Sequence, residues 1–178
     1  KIFKNTLFLV DEKNKIIFVN LLNGNKIDEL YTQPAKAVSS FKNNLALDKK
    51  GNLLMLNTNG NLYSVNFISN KVINWVRNFN TEDQVVFNAM PLLTYNDKIL
   101  ITTDNKISLY TDTGLRIWDL NLSTEIAPVK SGNSIFMINE DNYLIIINEK
   151  NGEIIFSKKI HNILRDSSEN KLGNKIKK

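Results

Sequence analysis

Apolar residues recur in short stretches along the chain, alternating or continuous over four to six positions, each closed by Asn, Gly, Asp or Lys. Lys15-Ile16-Ile17-Phe18-Val19, Leu53-Leu54-Met55-Leu56, Lys98-Ile99-Leu100-Ile101 and Leu144-Ile145-Ile146-Ile147 are examples. That length and period predict β-strands, because strand side chains alternate between two faces while a helix needs apolar positions three and four apart. A short helix is expected only over Ile160–Leu164 or just beyond.

Spacing turns the strands into a repeat. A turn column falls at Gly24, Asn70, Gly114 and Gly152, at intervals of 46, 44 and 38 residues. Gly and Asn are the residues that enter positive φ most easily in tight turns. A strand precedes each turn (Ile16–Asn20, Leu62–Asn66, Ile107–Thr111, Leu144–Asn148) and another follows it (Lys26–Leu30, Val72–Val76, Arg116–Leu120, Glu153–Ser157). Three of the following strands carry a large aromatic, Trp75, Trp118 and Phe156; the first has only Leu30 nearby. Upstream lie Thr6–Val10, Leu53–Leu56, Ile99–Thr103 and Ser134–Ile138, each ending in a polar hairpin. Units two to four have one more strand ahead, around Ser40–Leu47, Met90–Tyr95 and Ile126–Lys130, whereas unit one starts too late to contain it.

Four antiparallel strands recurring every ~40–45 residues is the period of a β-propeller blade. One such sheet cannot hide both faces alone, and stacking sheets radially buries each against its neighbour. The fold class expected is therefore all-β: a propeller of four-stranded antiparallel blades with about four blades present, the first incomplete, as part of a seven- or eight-bladed ring. The units run roughly over 1–32, 33–80, 81–122 and 123–160, with a polar basic tail or linker at 161–178. The aromatic of each last strand is expected as a wedge between blades. A β-sandwich, the competing architecture, predicts irregular spacing and no aromatic column.

Composition narrows the function. With no Cys among 178 residues, disulfides, thiol catalysis and Cys-ligated metals are excluded. No apolar run approaches the ~20 residues of a membrane-spanning helix. The net charge is +5, and much of the excess sits in the tail, where Arg165, Lys171, Lys175, Lys177 and Lys178 face Asp166 and Glu169. A nucleic-acid binder would carry its basic stripe on the folded body, so no nucleic-acid partner is expected. Asn, used 28 times, is spread through strands and turns and reads as compositional bias. The chain opens on Lys1 and runs straight into apolar residues, as an excerpt of a longer protein would.

Thr113-Gly114-Leu115-Arg116-Ile117-Trp118 resembles the tryptophan-docking motif of pyrroloquinoline-quinone-like propellers, whose blades end in T-G-K-x-x-W. Asn151-Gly152-Glu153-Ile154-Ile155-Phe156 fits with Asn for Thr and Phe for Trp. Asn70-Lys71-Val72-Ile73-Asn74-Trp75 fits with Asn for Gly and one inserted residue, and Asn23-Gly24-Asn25-Lys26 keeps the turn without the aromatic. The resemblance covers residues 1–160 and is nearest to the outer-membrane barrel-assembly lipoprotein B (BamB) family. It implies a non-catalytic eight-bladed scaffold in the periplasm or cell envelope that mediates protein–protein interaction. It also implies a lipid anchor at an N-terminal Cys, which would lie upstream of this segment. The alternative branch is a quinone-dependent dehydrogenase, which holds its quinone and calcium on the propeller axis and uses an Asp base and a vicinal Cys pair. This chain has no Cys, so that reading makes it a fragment whose catalytic residues lie elsewhere. The WD dipeptide Trp118-Asp119 lacks the rest of its repeat and is read as chance.

No residue is assigned a catalytic, cofactor-binding or metal-ligating role, and no cofactor is expected. His161, the one His, has no partner at a meaningful spacing and reads as a surface residue. The hairpin acids Asp11, Glu12, Asp104, Glu140 and Asp141 recur by unit but read as turn chemistry, since homologous turns of splayed blades do not converge on one ion. In the long connection Phe79–Phe87, Val85, Val86 and Phe87 are expected to begin the next inner strand. Tyr31, Tyr63, Tyr95 and Tyr110 show no grouping that would suit carbohydrate. Partners are expected at blade edges or rim loops. Closure into a four-bladed ring would need a strand from the tail, which has no strand-like run, so the open edges predict self-association.

Overall fold

Strands form largely where the alternation places them. The computed structural model describes residues 1–36, 44–69, 71–79, 86, 89–103, 105–124 and 126–162, and in it four sheets follow one another along the chain. Blade 1 contains β1 (Ile2–Phe3), β2 (Thr6–Val10), β3 (Ile16–Asn20) and β4 (Lys26–Leu30). Blade 2 contains β5 (Asn44–Leu47), β6 (Leu53–Leu56), β7 (Asn61–Asn66) and β8 (Val72–Asn78). Blade 3 contains β9 (Leu93–Tyr95), β10 (Lys98–Thr102), β11 (Ile107–Thr111) and β12 (Arg116–Leu120). Blade 4 contains β13 (Val129–Ser131), β14 (Ser134–Ile138), β15 (Tyr143–Asn148) and β16 (Ile154–Lys159). Every blade is an antiparallel meander in chain order, the form of a propeller blade.

The inner strands depart most from expectation. Unit one does contain a first strand, a two-residue one: Ile2 pairs with Leu7 and Phe3 with Thr6. Met90–Tyr95 shrinks to β9 and Ile126–Lys130 shifts to β13. Pro91 and Pro128 sit in the discarded portions, where a residue without an N–H cannot extend a ladder. Val86 does not begin an inner strand; it is buried in the core between blades 2 and 3, its N–H donating to Thr58 O at 2.8 Å. Val85 and Phe87 lie outside the described residues, as do Asn70, Asp104 and the tail from 163. A helical turn covers 160–162.

The core is three sandwiches between blades. Phe8, Ile16 and Phe18 of blade 1 meet Leu53, Met55, Tyr63 and Val65 of blade 2. The opposite face of blade 2, Leu54, Leu56 and Leu62, meets Ile99, Ile101 and Tyr110 of blade 3. Leu100, Ile107 and Leu109 of blade 3 meet Ile135, Met137, Ile145 and Ile147 of blade 4. A continuous apolar run such as Leu53–Leu56 follows from this geometry, because both faces of an interior blade are buried.

Each of the two later joints also carries a docking device at the outer strand. The Trp118 indole N–H donates to Glu149 O at 2.8 Å, and that of Trp75 to Asp112 O at 3.2 Å. Both rings lie against a turn glycine of the next blade. A methyl group added at Gly152 would come within 2.9 Å of Trp118 Cδ2 and Cγ, and one at Gly114 within 2.9 Å of Trp75 Cε3. The φ values there, +76° and +79°, independently favour glycine at both positions. The acid whose carbonyl accepts the indole N–H is itself held by a lysine of the preceding blade. Lys50 pairs with Asp112 at 2.6 Å, and Lys98 pairs with the buried Glu149, which Lys130 also reaches at 3.5 Å. Burial opposes ionisation of Glu149, but the two lysines outweigh it and hold the carboxyl below its ordinary value.

The first joint exchanges these chemistries. By strand register Asp28 occupies the docking position of Trp75 and Trp118: it pairs opposite Phe18 as they pair opposite Ser64 and Leu109. Lys71, at φ +51°, occupies the turn, and the two form an ion pair at 2.5 Å. Deeper in, where the later joints place a lysine–acid pair, rings stack edge to face: Phe67 lies 5.4 Å from Phe3 and 4.5 Å from Phe8 between centroids.

Two outcomes follow for the third joint. Gly152→Ala should destabilise the chain by roughly 2–4 kcal/mol in urea unfolding, from left-handed strain plus overpacking. In a Trp118→Leu background the same change should cost only the strain, about 1–2 kcal/mol; equal costs in the two backgrounds would disprove the contact. Glu149→Gln should destabilise at neutral pH. Because the folded carboxyl titrates below 4.5, its contribution is present above that value and is lost as pH falls through the lower folded value. The gap between wild type and variant, followed by thermal melts across pH, should therefore close on the acid side.

Candidate interaction surface

The outer strand of every blade is a sheet edge: β4, β8, β12 and β16 each end their sheet's order. Each also carries a bulge at the same register. One residue is skipped between Lys26 and Asp28, Ile73 and Trp75, Arg116 and Trp118, and Ile154 and Phe156. A bulge kinks the strand and re-aims the extra side chain, which blunts an edge against indiscriminate pairing. The skipped residues are Ile27, Asn74, Ile117 and Ile155, and the three isoleucines are 47%, 38% and 55% exposed. Val72 and Val76 add exposed aliphatic surface on β8. The result is a row of apolar side chains around the periphery, beside backbone that has no strand partner on that side among the described residues. Sequence reading passed over them, although their signal is simple: an isoleucine three residues after the turn glycines at 24, 114 and 152.

One rim is ordered by polar contacts. Asn14 at the blade 1 hairpin donates from Nδ2 to Thr58 Oγ1 at 3.0 Å in the blade 2 hairpin. Between these hairpins the connection 31–36 is tied down: Asn59 Nδ2 donates to Pro34 O at 2.7 Å, Lys36 N to Asn59 Oδ1 at 3.0 Å, and Gln33 N to the Tyr63 hydroxyl at 3.2 Å. An open hollow of about 600 Å³ lies beside it, lined by Asp11, Lys13, Lys15, Tyr31, Thr32 and Pro34 among others. Lys15 there is paired with Glu29 at 3.2 Å and Asp11 at 3.9 Å. Tyr31, Lys26 and Lys15 all bond to Glu29 and hold its carboxyl down to about 2, so it stays ionised and cannot serve as a proton donor near neutrality.

The described acids among those weighed in the sequence are turn residues or surface groups. Asp11 Oδ1 accepts from Lys13 N at 3.0 Å and Lys15 N at 2.8 Å, closing its hairpin; Asn57 Oδ1 accepts from Asn59 N and Asn61 N in blade 2, and Asn139 Oδ1 from Tyr143 N in blade 4. Glu12, Glu140 and Asp141 are exposed, and among the described residues no three His, Asp or Glu side chains gather around one point. His161 is exposed on the helical turn. Of the four tyrosines, Tyr63 and Tyr110 are buried in joints, Tyr95 is half-buried and Tyr31 is exposed, so they do not form a platform of the kind sugars stack on. Among the described residues no helix is long and apolar enough to cross a membrane.

Compared with known proteins, the chain has no significant match among curated sequences. Among solved structures it is similar to BamB from Moraxella catarrhalis, with a TM-score of 0.69 at 14% identity over 89% of this chain and 50% of that one. It is also similar to the quinohemoprotein alcohol dehydrogenase from Comamonas testosteroni, with a TM-score of 0.65 at 10% identity over 87% of this chain and 33% of that one. The β-propeller domain of Myceliophteria thermophila Cps50 (Swd1) superposes with a TM-score of 0.65 at 16% identity, over 88% of this chain and 52% of that one. These likenesses establish the propeller fold, and the chain spans half or less of the enzyme and of BamB. The sequence profile described as outer membrane protein assembly factor BamB matches residues 2–158, nearly the whole of the described body, and this chain therefore belongs to that family.

Proposed function

We propose that this chain is a non-catalytic scaffold of the cell envelope that takes part in outer membrane protein assembly by holding extended protein segments along its blade edges. The observation that carries this reading is the peripheral row of bulge isoleucines, Ile27, Ile117 and Ile155, set on strands with one open side. An extended segment can add to such an edge through main-chain hydrogen bonds while its alternate side chains rest on the exposed aliphatics. Family membership supports the assembly role and the envelope location.

An amphipathic peptide of about ten residues, patterned as an outer-membrane strand, should bind with a roughly micromolar Kd, the range of small transient interfaces. Isothermal titration should show Ile117→Lys and Ile155→Lys weakening it about tenfold each while leaving the melting temperature nearly unchanged, since both side chains are exposed. Unaltered affinity in both variants would remove the edges from consideration. The dehydrogenase alternative is tested separately: pyrroloquinoline quinone with calcium should leave the melting temperature and quinone absorbance unmoved, and a saturable shift in either would overturn the scaffold reading.

A further inference from the structure

Two positions on each outer strand flank its bulge, and strand register fixes which seam they look into. In blade 2 they are Ile73, opposite Val65, and Val76, opposite Tyr63. Val65 and Tyr63 pack against blade 1, so Ile73 and Val76 stand on that same face, at the outer margin of the first seam. In blade 3 the corresponding residues are Arg116 and Asp119, an ion pair at 3.3 Å. In blade 1 they are Lys26 and Glu29, paired at 3.1 Å, and in blade 4 Ile154 and the polar Ser157. Among the described outer strands, only that of blade 2 is apolar at both positions.

The far wall of that margin is the outer strand of blade 1. Leu30, opposite Ile16, is half-buried against the core of the joint, and Asp28 closes the turn end with Lys71. Ile73 and Val76 are 36% and 37% exposed between these walls. The strand that carries them is also the least guarded edge. β8 has seven residues, the longest outer strand, and its one charge is Arg77. That side chain is turned to the blade 3 seam, its Nε donating to Gly114 O at 3.0 Å and its guanidinium 5.9 Å from the centre of the Trp75 ring. By contrast β4 carries Lys26, Asp28 and Glu29, β12 carries Arg116 and Asp119, and β16 carries Lys158 and Lys159. Charges along an edge discourage strand addition, because an incoming strand would strip them of water.

We propose that the first seam selects an uncharged extended protein segment, added as a strand on β8 with its alternate aliphatic side chains in the margin formed by Leu30, Ile73 and Val76. The inference rests on the edge-binding role proposed above and adds which segments this edge takes. Main-chain hydrogen bonds to an edge are blind to sequence, so selection falls to the side chains on either side of it. On β8 a neutral segment covers aliphatic surface and disturbs no ion pair. On β4 or β12 the same segment would desolvate Lys26 and Glu29, or Arg116 and Asp119, and offer them nothing in return. Both walls of the site belong to this chain.

Hydrogen exchange followed by mass spectrometry on the 178-residue chain locates the segment. The probe is a peptide of about ten residues alternating Val and Thr, with lysines beyond both ends for solubility. At saturation, exchange across 72–78 should slow by roughly tenfold, and by more than across 26–30, 116–120 or 154–159. A peptide with Glu in place of Thr should require about ten times the concentration for the same protection of 72–78, and equal requirements overturn the selection. Slowing confined to the other outer strands overturns the assignment to β8 and leaves edge binding standing, whereas no slowing on any outer strand overturns both. Ile73→Arg combined with Val76→Asp imports the ion pair of blade 3 and should abolish protection across 72–78 at a nearly unchanged melting temperature, since both positions are exposed. The reverse exchange, Arg116→Ile with Asp119→Val, should raise protection across 116–120. Protection that follows neither exchange overturns the margin as the selective element.

Discussion

A four-stranded sheet that is apolar on both faces cannot be stable in water by itself, and every other feature of this chain answers that constraint. Interior blades bury Leu53 and Met55 on one side and Leu54 and Leu56 on the other, so strands that would alternate in a half-solvated sheet become unbroken apolar runs. Stability is then a sum over joints between neighbours more than a property of any single blade. The polar and aromatic devices at the outer strands sit at the margins of those sandwiches and fix how one sheet lies on the next.

The joints achieve that with different chemistry in the same places. The two later joints put an indole on a glycine at the outer strand and a lysine–acid pair further in; the first puts Asp28 on Lys71 outside and a cluster of Phe3, Phe8 and Phe67 inside. The Asp28–Lys71 pair is more than a third exposed on both sides, so it orients the joint and adds little to its strength, whereas the rings carry the buried area. The lysines at Glu149 work in a different regime. There the acid is almost wholly buried, and removing both lysines would leave an uncompensated charge in the joint.

Strand identity and blade period were legible because burial of two faces writes a strong apolar signal between turns that demand Gly or Asn. The inner strands were less legible. They are two to four residues long, and β9 and β13 follow Pro91 and Pro128, so their register is set by the neighbouring strand and leaves little trace in their own residues. The turn column held at Gly24, Gly114 and Gly152, but the positive φ described in the second unit belongs to Lys71, one residue beyond the expected position. The aromatic column was visible for Trp75, Trp118 and Phe156. Its first member escaped because the residue there is an aspartate, which is intelligible only once Lys71 is seen beside it. The peripheral isoleucines escaped for a related reason: a bulge residue breaks the alternation that strand reading relies on.

The exchange at the first joint has a consequence for how such chains diverge. Asp28 would be a poor guest on a glycine cradle, and Lys71 would be a poor seat for an indole, so each residue suits the other better than it suits the parts of the later joints. The inherited unit is therefore the seam, a position on one sheet together with its counterpart some forty residues later. Mutational drift along this lineage should leave correlated traces across seams, and a search that weighs each repeat in isolation will mistake a coherent substitution for decay.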